Sequence, residues 1–159
     1  MENTAVERAM KLHRQYPGLV FPLDMDQLAC LEGCEIVDWP LLFPVKEVKR
    51  GCWIGIAMGA GHSERRFLIA HALGHHLLHS GNQLSFYGPQ KASLWKQEKE
   101  ADEFAAHLLM PTAMLEEIGN LPAWELAERF GMPEEIVRLR MGEFATQKER
   151  SRWQEWEEV

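Results

Sequence analysis

Arg66-Phe67-Leu68-Ile69-Ala70-His71-Ala72-Leu73-Gly74-His75-His76-Leu77-Leu78-His79 is the stretch that organises the chain. It holds no proline, its one glycine lies between two histidines, and its leucine and alanine content favours a helix. On a helix, His71 and His75 stand one turn apart on one face, where two imidazoles can share a metal ion. The spacing is that of H-E-x-x-H, but position 72, where that motif carries its general base, is alanine.

Around this helix the neighbouring elements are legible. Ser63 is the expected N-cap, with Glu64 in the first turn, and Ser80-Gly81-Asn82 the expected stop. Upstream, residues 45–58 read as two extended pieces, the second over residues 52–57, and Glu35–Trp39 as a strand before them, so a small sheet precedes the helix. Trp53–Ala57 is expected to present an edge to which an extended peptide adds. Asp24 is placed to cap a short helix over Met25–Leu31, closed by Gly33, and Ala5, Ala9 and Leu12 mark a first helix ended by Pro17-Gly18.

Downstream, residues 83–92 contain Gly88-Pro89 and little periodicity, and read as a loop. A second long helix is expected over residues 93–110, ended by Pro111. Its apolar stripe of Leu94, Ala101, Ala105 and Leu108 carries Glu98, so that a carboxylate faces inward. A catalytic zinc commonly takes three protein ligands, and Glu98 is the candidate to join His71 and His75. Asp102, one turn beyond Glu98, can accept the other ring N–H of a ligating histidine and is assigned to that supporting role. Glu100 points nearly the opposite way and is ranked below Glu98.

A single histidine on an apolar helix is more often a hydrogen-bonded core residue than a ligand. The pair together with Glu98 and Asp102 reverses that balance. His79 continues the histidine row but ends the helix, which favours a role at the helix C-terminus. His62 and His107 have no company in the sequence.

At 159 residues, one ordinary domain with an appended piece is expected, a first part over residues 1–111 and a helical segment over 112–159. A net charge of −7 and a pI near 5.5 argue against a broad phosphate-binding surface. The N-terminus lacks a basic, apolar leader pattern and no stretch reads as a membrane span, so a soluble cytoplasmic protein is expected. Cys30, Cys34 and Cys52 are expected as thiols acting as small buried hydrophobes, since a C-x-x-x-C without a second pair is a poor zinc site. In the last third, Ala123–Phe130, Gly131-Met132-Pro133 and Glu134–Met141 form a helix-turn-helix pattern. Arg138 and Arg140 offer a DNA-binding alternative, opposed by Glu134-Glu135 where base edges would be met. The charged end with Trp153 and Trp156 reads as a loosely held helix.

These motifs resemble the ImmA/IrrE family of metallopeptidases. R-F-x-x-A-H-x-x-G-H over residues 66–75 and E-x-E-A-x-x-F-A-x-x-L-L-M-P over residues 98–111 stand in the family's order. The resemblance implies an α+β, zincin-like domain with a three-helix core and a small sheet, followed by a helix-turn-helix-like segment. It also implies Zn2+ as cofactor and a role in cleaving, or otherwise relieving, a repressor-like protein in mobile-element or stress control. Ala72 departs from the family glutamate, which contributes about 10²–10⁴-fold as a general acid-base group. Three explanations stand: a metal-binding pseudo-peptidase that grips a partner, an alanine introduced to trap an intact complex, or another residue taking the proton. His76, one turn from position 72, is the candidate for the third.

Overall fold

The computed structural model describes residues 4–42, 44–79, 83–86 and 92–157. Helix α1 (Thr4–Gln15) buries Ala5, Ala9 and Leu12 as one stripe. Helix α2 (Met25–Leu31) starts where the Asp24 carboxylate accepts the Gln27 backbone N–H at 3.0 Å.

Four strands follow: β1 (Glu35–Trp39), β2 (Val45–Arg50), β3 (Trp53–Ala57) and β4 (Gln83–Phe86), in the spatial order β1-β3-β2-β4. Strands β2 and β3 are antiparallel, with Arg50 facing Trp53 across a two-residue turn. Gly51 supplies the positive φ of 57° that such a tight turn requires. Strand β1 runs parallel to β3, and β4 antiparallel to β2. Trp53–Ala57 is therefore an inner strand whose two ladders are both occupied, and the expected edge for an incoming peptide does not exist there. Residues 83–86, expected as loop, form an edge strand; residues 87–91 of that expected loop lie outside the described residues.

One face of this sheet packs on the helices. Cross-strand partners share a face, so Ile54 with Lys49 and Ile56 with Glu47 point inward, and all four are buried. Trp39 and Trp53 remain half exposed on the outer face, where they line a broad concavity with Val37 and Val48.

Helix α3 (His62–Leu78) lies between the sheet and helix α4 (Ala92–Leu109), with α1 packed on α4. It begins at Gly61 rather than Ser63, because the Gly61 carbonyl already accepts the Arg65 N–H at 2.8 Å. Helices α5 (Thr112–Ile118), α6 (Ala123–Phe130), α7 (Glu134–Met141) and α8 (Gln147–Glu157) complete a mixed α+β architecture. Leu126, Phe130, Ile136 and Val137 of α6 and α7 join the same core as Ile69, Leu73 and Phe104.

Two buried guanidinium groups tie the helices together. Arg66 donates to the carbonyls of Gly131 at 2.8 Å, Phe130 at 3.3 Å and Leu23. Gly131, between α6 and α7, has φ 59°, and a Cβ there would lie 2.8 Å from Arg66 Nε, so two separate constraints favour glycine. Arg140 forms a two-pronged pair with Glu149, at 3.0 and 2.6 Å, and donates to the Met110 carbonyl at 2.9 Å. Arg140 is fully buried, and exposed Arg138 is paired with Glu134. Of the two arginines read as DNA contacts, Arg140 is thus committed inside the chain, while Arg138 keeps only a one-turn surface pair on α7.

The C-terminal helix is held more firmly than its sequence implied: Glu149 is buried and Trp153 packs against the core. All three cysteines are free, as expected, but only Cys34 is buried; Cys30 and Cys52 are exposed rather than core residues. No helix among the described residues is long and apolar enough to cross a membrane.

Candidate metal centre

His71 and His75 lie one turn apart on α3, on the side facing α4, and are almost wholly buried. Glu98 reaches them from α4: its Oε2 lies 3.0 Å from His71 Nε2 and its Oε1 2.8 Å from His75 Nε2. The two Nε2 atoms are 3.1 Å apart. Among the described residues these three are the group of histidine, cysteine, aspartate or glutamate side chains whose ligand atoms converge, all within 4.8 Å.

The far side of each imidazole is also held. Asp102 Oδ1 lies 2.7 Å from His71 Nδ1, which places a donating N–H there. His75 Nδ1 lies 3.0 Å from His79 Nδ1, and His79 Nε2 lies 2.9 Å from Glu100 Oε2. The arrangement that satisfies this relay has His79 donating to Glu100 through Nε2 and accepting at Nδ1 from His75. Both histidines then turn bare Nε2 lone pairs toward the two Glu98 oxygens. Four acceptors facing one point repel one another unless a cation or protons lie among them. Zinc with bonds of ~2.0–2.1 Å sets tetrahedral ligands about 3.3 Å apart, and the spacings of 2.8, 3.0 and 3.1 Å lie below that by half an ångström or less. The donor set fits a divalent cation.

Glu100, passed over as a ligand, is the outer end of this relay, while His79 is more than a helix-terminal residue: it connects His75 to Glu100. The i, i+4 spacing from His75 to His79 is the sequence signal for this link, masked by the position of His79 at the helix end. His76, one residue past His75 and rotated off the ligand face, lies by Lys49 and the Gly51 backbone. Burial and the Lys49 charge lower its pKa. Ala72 is fully buried.

Charge in the centre is unevenly compensated. With protons rather than a cation between these atoms, burial pushes the Glu98 carboxyl up, but hydrogen bonds from the protonated His71 and His75 outweigh it and hold it well below the usual carboxylate range. Burial alone lowers His71, yet Glu47, Asp102 and Glu98 carry it well above its ordinary value. His75 is lowered, with burial dominant. Glu47, on β2, was not singled out in the sequence. It is fully buried, neither carboxylate oxygen has a hydrogen-bond partner among the described residues, and burial pushes its pKa up to about 7. A recess of about 300 Å³ opens beside Glu98 and Asp102, between Trp95 on α4 and Leu139 and Phe144.

Residues 53–141, more than half of the chain, match the family Peptidase M78, the IrrE N-terminal-like domain. The chain belongs to this IrrE N-terminal-like family. Its centre lies wholly inside the matched segment. A further similarity is to the uncharacterized immunity region protein 2 of Bacillus phage phi105, 29% identical over 121 residues, or 72% of this chain and 77% of the phage protein. His71, Ala72, His75, Glu98 and Asp102 all fall inside the matched segment.

Proposed function

We propose that this protein binds one zinc ion through His71, His75 and Glu98 and acts as a peptidase-like regulator on a repressor-like protein in mobile-element or stress control. The convergence of those three donors, each histidine fixed from behind, carries the reading. Two histidines and one glutamate form a characteristic ligand set of peptide-cleaving zinc enzymes. A bound zinc supplies Lewis-acid polarisation of a scissile carbonyl. Asp102 and the His79–Glu100 pair keep the ligand rings in the tautomer that points Nε2 inward. The immunity-region origin of the phage relative supports a regulatory partner. The three free thiols support a reducing, cytoplasmic setting.

Ala72 favours a second reading, a non-catalytic zinc module that grips its partner without cutting it. Elemental analysis of the purified protein tests the shared core of both. One equivalent of zinc is expected, lost in His71→Ala with the helical circular dichroism retained. Absence of zinc after reconstitution in excess metal overturns the metal reading.

A further inference from the structure

We propose that Cys34 and Cys52 are a site of reversible oxidation, which a hydroperoxide closes to a disulfide between the start of strand β1 and the turn before strand β3. The proposal stands apart from the metal reading above and uses none of its residues.

The backbone sets the two cysteines opposite each other. Strands β1 and β3 are parallel, with Glu35 facing Trp53 and Ile36 facing Ile54. One residue back, that register brings Cys34 against Cys52, and the ladder is intact there, because the Glu35 N–H donates to the Cys52 carbonyl at 2.8 Å. Facing residues on neighbouring strands point to the same side of a sheet. A strand spacing of about 4.8 Å puts their Cα atoms inside the range of about 4.4–6.8 Å that a disulfide spans. Alternation sends Cys34 with Ile36, and Cys52 with Ile54, toward the helices that cover this face. Cys52 is also close enough for its charge to act on the Cys34 thiol.

The two thiols differ in access. Cys52 is exposed in the two-residue turn, whereas Cys34 is only 5% exposed. Burial, and then the Cys52 charge, push the Cys34 thiol up to about 11, so it stays protonated and is not the first to meet an oxidant. A solvent-accessible thiol with a second thiol beside it is the arrangement that redox-responsive cysteines share. The site also joins three elements. The Cys34 N–H donates to the Ala29 carbonyl of α2 at 2.8 Å, and Gly51, beside Cys52, meets His76 of α3 through its backbone. Closing the bond ties the turn under α3 to the end of α2.

In the first step the Cys52 sulfur, as thiolate, attacks one oxygen of the hydroperoxide. An S–O bond forms, the O–O bond breaks, and the other oxygen leaves with a proton as an alcohol. In the second step the Cys34 sulfur attacks the Cys52 sulfur. The S–S bond forms, the S–O bond breaks, and hydroxide departs with the Cys34 proton as water. The thiol pair loses two electrons, and the peroxide takes them up.

The test treats the full chain, reduced and then freed of reductant, with a small excess of tert-butyl hydroperoxide. Remaining thiols are blocked with N-ethylmaleimide in acidic denaturant, and unreduced peptides are mapped by mass spectrometry. The expected product is a monomer lighter by two hydrogens, with one disulfide between the Cys34 and Cys52 peptides and Cys30 blocked; dithiothreitol should return all three thiols. Cys30→Ser is expected to close the same disulfide. Cys34→Ala should stop at a Cys52 sulfenic acid that dimedone traps, and Cys52→Ser should keep both of its thiols. A disulfide containing Cys30, a disulfide-linked dimer, Cys52 carried to sulfinic acid with Cys34 still reduced, or three unreacted thiols would each overturn the proposal. Where Cys34→Ala does not fold, the wild-type map and Cys52→Ser decide the matter. None of these readouts involves zinc, so the metal reading stands or falls separately.

Discussion

Gly74→Ala is expected to weaken the metal centre without touching a ligand. Gly74 lies on α3 one residue before His75, and a Cβ there would stand 2.9 Å from Phe104 Cδ1, 3.2 Å from Ala101 Cα and 3.3 Å from Ala101 O. The Phe104 ring is fully buried, and the other two atoms are α4 backbone, so relief requires the two helices to separate by a few tenths of an ångström. Ala101 is three residues from Glu98 and adjacent to Asp102, so the shift is passed to the third ligand and to the partner of His71. Metal bonds tolerate about 0.2 Å. Zinc affinity should therefore fall about 10-fold or more, equivalent to roughly 1.4 kcal/mol. Zinc-free stability changes less, because overpacking costs about 1–3 kcal/mol while replacing a helical glycine returns about 1 kcal/mol. Chelator competition and urea unfolding of the zinc-free protein separate the two effects. Wild-type zinc affinity with a stability gain near 1 kcal/mol would refute the reasoning, showing that the α3–α4 contact yields without moving Glu98.

Removing the relay behind His75 should also loosen the metal: His79→Ala and Glu100→Gln are each expected to lower zinc affinity about 10–100-fold, read by the same competition assay. Acid lability should trace in part to His107, whose Nε2 donates to the Phe144 carbonyl at 2.7 Å and whose Nδ1 has no partner among the described residues. Burial, and then the Arg140 charge, lowers its pKa from 6.5 to about 4. Its folded-state value is the depressed one, so the unfolded chain binds the proton first. Stability should fall as the pH drops from about 6.5 to about 4 and then level off, by at most ~3 kcal/mol from this group. Urea unfolding between those limits should show a shallower slope in His107→Gln; an unchanged slope would assign the acid limb to other groups.

The helices and the convergence of the histidine pair were legible because their signals are local. A helix places residues three and four apart on one face whatever surrounds it, so His71 with His75, Glu98 with Asp102, and the buried stripe of α1 all follow from spacing. The Asp24 cap is equally short-range. Glu47 escaped notice because Val-Lys-Glu-Val-Lys-Arg reads as a polar, solvent-facing strand; its burial is decided only when that strand takes an interior place in the sheet, with α3 laid across it. The same holds for Trp53–Ala57, whose composition says strand but cannot say which neighbours pair with it. Arg66 and Arg140 look like surface cations until distant carbonyls and Glu149 close around them. Sequence alone determined which residues one helix presents together; the tertiary structure decided which charges lose their water, because burial depends on chain segments brought together from far apart.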